Sequence, residues 1–101
     1  MKQYWFVMLL TGKRRDEIKD TNVINKLQAG HVANIQRLAD MEKLIVAGPF
    51  GDNGQWRGIF IFDAANKEEV EGYLKTDPAI AAGRLDYEIH PWWTARGTVF
   101  K

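Results

Sequence analysis

The sequence predicts an α+β domain: one four-stranded antiparallel sheet with its helices gathered on one face. Short stretches rich in Val, Ile, Phe, Tyr and Trp at residues 3–10, 43–47, 56–63 and 84–91 read as strands. Longer stretches with apolar residues three and four apart, at residues 22–42 and around Val70, Tyr73 and Leu74, read as helices. Their order along the chain is β, α, β, β, α, β.

Residues 3–10 are apolar on both alternate faces, as in a strand covered on both sides, and this strand is expected at the centre of the sheet. The polar segment "TGKRRDEIKD" follows as a mobile loop, and Thr21 is the expected N-cap of the first helix. Within that helix Gly30 costs about 1 kcal/mol relative to alanine, so it marks a bend or a close approach by another element. "KLIVAGPF" is a short strand closed by Gly48 and Pro49. "FGDNGQ" has hairpin-loop chemistry and leads into the alternating run "WRGIFIFD", so these two strands are expected to pair antiparallel. Asn66 with Glu69 three residues on resembles a capping box for the second helix. "DPAIAAG" adds a helical turn with Asp77 as N-cap, Pro78 at the first position and Gly83 as terminator. "RLDYEIHP" alternates Leu85, Tyr87 and Ile89 with Asp86, Glu88 and His90, the pattern of a half-buried strand.

This order is the ferredoxin-like βαββαβ arrangement, with two helices on one sheet face. The other face has apolar residues from the first and third strands and is left bare. A second copy packing sheet to sheet would close a dimeric α+β barrel, so a homodimer is expected.

The chain has 101 residues, 46% hydrophobic and 27% charged, close to an average soluble domain, and residues 1–101 are read as a single domain. A chain this short buries a smaller share of its surface than a larger one, yet 12% of it is aromatic with four tryptophans, which again suits a second copy. Fourteen Lys and Arg against thirteen Asp and Glu leave a formal charge of +1, and the basic run "GKRRDE" is answered at once by acids, so nucleic acid is not an expected partner. The apolar run from Tyr4 to Leu10 is shorter than a membrane span and is read as a buried strand, so no membrane is expected. The absence of cysteine excludes a disulfide framework, thiolate zinc sites and a cysteine nucleophile, and fits a cytoplasmic protein. Serine is also absent, which removes serine catalysis.

Among the groups that can carry chemistry, His31 stands out because it lies on the apolar helix row of Leu27, Ile35 and Leu38. It is either a core histidine bonded to backbone or an acid–base group answered by a carboxylate. Asp77 is fully explained as a helix cap. His90 shares a strand face with Asp86 and Glu88; that face is either a metal site or simply the wet side of the sheet, and no metal is expected. Arg57 and Arg84 either pair with an anionic substrate or solvate the surface. Trp92 and Trp93 either form an aromatic lid or pack the tail. "GPFGDNGQWRG" lacks the lysine and the strand-to-helix context of a phosphate loop, so no nucleotide site is read there.

Taken together, "GHVANIQRLADMEKLIVAGPF", "RGIFIFD", "EEVEGYLKTDPAIAAGRL" and "EIHPWW" resemble the YciI-like (YCII-related) family. The match falls on His31, Leu38, Leu44, Ala47, Gly48, Pro49, Asp77, Pro78 and Gly83, within a span of about residues 3–92. The resemblance implies a dimeric α+β barrel with a pocket in which His31 and Asp77 form the active pair. It also implies a dehydrochlorinase-like elimination on an aromatic ring. The polar segment 11–22 and the "HPWW" ending depart from the family pattern.

On this basis the expected function is cofactor-independent proton transfer or elimination on a small, aromatic or cyclic metabolite, by a lyase or isomerase. His31 is the general acid or base, and Asp77 fixes its tautomer. Asn34, Arg57, Arg84, His90 and Trp92 are the candidate substrate-binding residues, in a pocket near the sheet and the dimer interface. The alternative is a non-catalytic small-molecule binding or accessory module using the same pocket. A haem-ligand reading of His31 has no second haem cue in the sequence.

Overall fold

In the structure, a computed structural model that describes residues 1–95 and 97, the central strand is the first one. Strand β1 (Lys2–Thr11) lies between β3 (Trp56–Phe62) and β4 (Leu85–Thr94), with β2 (Leu44–Pro49) outside β3. All three neighbouring pairs are antiparallel. Helices α1 (Thr21–Asp40), α2 (Lys67–Leu74) and α3 (Pro78–Ala81) complete the ferredoxin-like order predicted from the sequence.

Strand alternation separates the two sheet faces. Val7, Leu9, Phe60 and Phe62 point to the helices and form a core with Leu38 of α1, Leu44 of β2, and Val70 and Leu74 of α2. Tyr4, Phe6, Met8 and Ile59 point the other way and are half-buried, and no element of the chain covers that face among the described residues.

Local chemistry accounts for the helix ends. The α1 cap is Asp20 rather than the expected Thr21: its carboxylate accepts from the Asn22 N–H at 2.9 Å. A carboxylate also suits the positive end of the helix dipole. The helix stops two residues short of the expected 42, because Glu42 turns left-handed (φ 61°) and the Lys43 N–H returns to the Leu38 carbonyl at 3.2 Å. For α2, Asn66 accepts from the Glu69 N–H at 2.9 Å, and Glu69 reaches back to the Ala65 N–H at 3.0 Å, one residue beyond the reciprocal partner of a capping box.

Three features depart from the sequence expectations. The segment expected as a loose loop carries a 3-10 turn at Arg15–Glu17 and is stitched to the α3–β4 turn, with Gly12 N–H bonded to the Arg84 carbonyl (2.9 Å) and Arg14 N–H to the Gly83 carbonyl (3.0 Å). A Cβ on Gly12 would lie 2.0 Å from the Gly83 carbonyl oxygen, so only glycine permits this approach. Strand β4 runs on through Pro91 to Thr94; it is an edge strand, where a sheet tolerates proline. A β-bulge also interrupts β3, since Leu9 pairs with Gly58 but Leu10 with Trp56, leaving Arg57 as the extra residue. Among the described residues no helix is long and apolar enough to cross a membrane.

Candidate functional site: a histidine–aspartate pair beside an arginine-lined cavity

Helices α1 and α3 meet at Gly30. A Cβ there would stand 2.6 Å from Cγ of Pro78, so the glycine marks a close approach rather than a bend. That approach sets His31, the next residue of α1, beside Asp77, the N-cap of α3. His31 Nδ1 and Asp77 Oδ2 are 2.5 Å apart, while Asp77 Oδ1 accepts from the N–H groups of Ala79 (2.8 Å) and Ile80 (3.4 Å). One carboxylate therefore caps a helix and holds an imidazole, so the capping role and the pairing coexist.

Asp77 is 1% exposed and the His31 side chain 12%. Because a carboxylate accepts, Nδ1 is the donor nitrogen and the neutral ring keeps its lone pair on Nε2. Nε2 makes no hydrogen bond within the described residues, and no buried side-chain nitrogen or oxygen among them lacks a partner, so Nε2 is open to solvent. Phe60 of β3 stacks on the imidazole with centroids 6.2 Å apart and planes at 27°. The pair is thus oriented on one side by a buried carboxylate and on another by an aromatic ring, with the basic nitrogen outward. This arrangement can take or give a proton.

The other predicted residues divide sharply. Asn34, 8% exposed, spends its amide inside the protein: Nδ2 donates to Thr76 Oγ1 (3.1 Å) and Oδ1 accepts from Arg37 Nη2 (2.9 Å). It ties α1 to the residue before Asp77, which makes it a support of the pair. His90 and Trp92 pair across β4 with Phe6 and Tyr4, on the sheet face away from His31. His90 lies 3.6 Å from Glu88, and no group of three metal-ligating side chains occurs among the described residues. Trp92 and Trp93 are both exposed.

Arg57 and Arg84 do come together, on the helix side. Displaced by the bulge, Arg57 donates from Nε to Thr11 Oγ1 at 2.9 Å. It lines a cavity of about 560 Å³ with Arg84, Arg15, Lys19, Thr11 and Asp16. It also borders a smaller hollow of about 130 Å³ against Leu9, Ile35 and Phe60. Phe60, one wall of this hollow, is the ring that stacks on the imidazole. Arg15 is the residue that sequence reasoning missed. Of the two arginines in "GKRRDE" only Arg14 forms an ion pair, with Glu17 at 3.2 Å, while Arg15 turns inward and donates to the Arg84 carbonyl at 3.1 Å. Burial lowers the pKa of Arg15, and repulsion from Arg84 and Arg57 lowers it further against the attraction of Asp16.

Comparison with known proteins bears on this geometry. The solved structure of 5-chloro-2-hydroxyhydroquinone dehydrochlorinase (TftG) from Burkholderia phenoliruptrix AC1100, in complex with 2,5-dihydroxybenzoquinone, matches with a TM-score of 0.64 and 18% identity over 94% of this chain and 97% of that one. At that identity the match establishes the fold. No curated protein matches in sequence. The model of the YCII-related domain matches residues 5–93, a span that holds the helices, all but the ends of the first and last strands in the chain, and both members of the His31–Asp77 pair. The chain belongs to the YCII-related domain family.

Proposed function

We propose that the chain is a cofactor-independent enzyme that transfers a proton on, or eliminates a leaving group from, a small cyclic or aromatic metabolite. The observation that carries this reading is the 2.5 Å contact between His31 Nδ1 and the buried Asp77 carboxylate, with Nε2 facing outward. In such a site Nε2 takes the proton, the electron pair left behind expels the leaving group, and Asp77 holds the tautomer and stabilises the imidazolium. The aromatic wall at Phe60 suits a ring-shaped substrate. The solved structure that shares this fold is that of a dehydrochlorinase, and dehydrochlorination is the loss of hydrogen chloride, an elimination. Two copies packed through the bare apolar sheet face would complete the assembly as a homodimer.

The test is a chloride-release assay on 5-chloro-2-hydroxyhydroquinone, together with a deuterium-exchange screen of hydroxylated ring compounds in heavy water. Turnover is expected in at least one of these, falling about 10²–10⁴-fold in His31→Gln. Turnover unchanged by that substitution would remove His31 from the chemistry. Saturable ring binding with neither exchange nor elimination would assign the pocket to a non-catalytic binding module.

A further inference from the structure

We infer that the cavity between the 3-10 turn, the β3 bulge and the α3–β4 turn is an anion site, built to hold a carboxylate or phosphate group carried on a small ring compound. As a binding site it stands by itself; its assignment to the substrate of the reaction proposed above rests on that reading.

Four cationic side chains, Arg15, Lys19, Arg57 and Arg84, line this cavity against the single carboxylate of Asp16. They come from three separate stretches of the sequence, Arg15 and Lys19 from one and Arg57 and Arg84 from the other two, so the fold assembles them. The ion pairs among the described residues are Lys2–Asp63, Arg14–Glu17, His31–Asp77, Lys43–Glu69 and His90–Glu88, and none of the four cavity cations takes part in one. Three half-buried guanidiniums gathered with only the Asp16 carboxylate to offset them repel one another, and burial of Arg15 sharpens that repulsion. An anion bound among them removes the repulsion and gains charge-assisted bonds, for which the planar guanidinium fork matches carboxylate and phosphate oxygens.

Specific devices hold the arginines inward. The bulge turns Arg57 toward Thr11, which takes one of its N–H groups and leaves the others for a ligand. The 3-10 turn, fastened through Gly12 and Arg14 to the Arg84–Gly83 backbone, swings Arg15 in. Arg57 is shared with the apolar hollow at Phe60, so a ligand with its acid group in the cavity has its ring body against Phe60, the ring that stacks on His31. A compact anion alone would leave that hollow empty. An aromatic carboxylate fills both.

Calorimetric titration of the full chain with inorganic phosphate, and separately with phthalate, tests this at an ionic strength held constant with chloride. Both anions are expected to bind saturably, phthalate more tightly. Arg84→Gln removes a fork that makes no described internal bond, and should weaken both at least tenfold; Arg84→Lys, which keeps the charge, should weaken them less. Arg57→Gln provides a second arm should the Arg84 variants fold poorly. No saturable binding of either anion up to on the order of 10 mM, or equal affinity in wild type and the glutamine variants, overturns the site. Phthalate no tighter than phosphate overturns the placement of the ring. His31→Gln should bind phosphate like the wild type while losing turnover, so the anion site and the proton-transfer reading fail independently.

Discussion

Gly30 offers a measurable test of the helix contact on which the His31–Asp77 pair depends. Replacing a glycine inside a helix by alanine ordinarily stabilises by about 1 kcal/mol, through the conformational entropy that glycine loses on folding. At Gly72, within α2, a Cβ meets nothing within 4 Å, and that gain is expected in full. At Gly30 the new Cβ would stand 2.6 Å from Pro78 Cγ, where carbon atoms rest at about 3.5–4.0 Å. The shortfall is about 1 Å, and a proline ring, closed on its own backbone, has little freedom to supply it. Helix α3 must therefore back away from α1, and overpacking of this kind costs about 1–3 kcal/mol. Gly30→Ala is expected to be less stable than Gly72→Ala by about that amount, measured by urea unfolding with equal slopes. The same retreat lengthens the contact between His31 and Asp77, so the Gly30 variant should also lose the downfield Nδ1 proton resonance expected of a short hydrogen bond. Equal stabilisation by both substitutions would show that α1 and α3 do not approach as described, and the geometry of the pair would fall with it.

Other outcomes follow from the same structure. Asp77→Asn keeps an acceptor for the α3 cap but offers His31 an amide that can donate; nitrogen NMR should show the neutral imidazole shifting toward the other tautomer, with any activity lowered about 10²–10⁴-fold, and an unchanged tautomer would refute the role given to Asp77. Tyr73 donates to Glu69 at 2.5 Å, a bond that pushes the phenol up to about 12 and holds the Glu69 carboxyl below its usual range. The Tyr73 contribution is therefore complete below its unfolded value near 10 and is lost as the pH rises toward 12, whereas that of Glu69 is lost as the pH falls through its lowered value. Tyr73→Phe should cost about 1 kcal/mol at neutral pH and flatten the alkaline limb of the stability curve; an unaltered limb would show that the bond does not persist in solution. Light scattering at micromolar concentration should report the mass of a dimer, whose interface is expected to bury more than about 1,000 Å² in total, and a monomer would leave the apolar sheet face without its proposed cover.

The elements were legible in the sequence because what makes them is local. Asp77 before Pro78 announces a helix start whatever the rest of the chain does, and strict alternation from Leu85 to Ile89 announces which side of β4 is buried. By the same alternation His90 and Trp92 belong to the opposite face, so their separation from His31 was implicit once β4 was read as a half-buried strand. The family resemblance added what periodicity could not, a reason to set His31 with Asp77 across an interval of 46 residues. Only the tertiary structure decided how they meet, because the contact depends on the absence of a side chain at Gly30 against the Pro78 ring. It also decided which arginine matters. Arg14 and Arg15 are indistinguishable by composition, and the tight 3-10 turn between them and Glu17 sends one to its acid in solvent and the other into the cavity. Secondary structure follows from neighbours a few residues apart, whereas a site is made of side chains whose directions are settled by bulges, turns and helix contacts between distant segments.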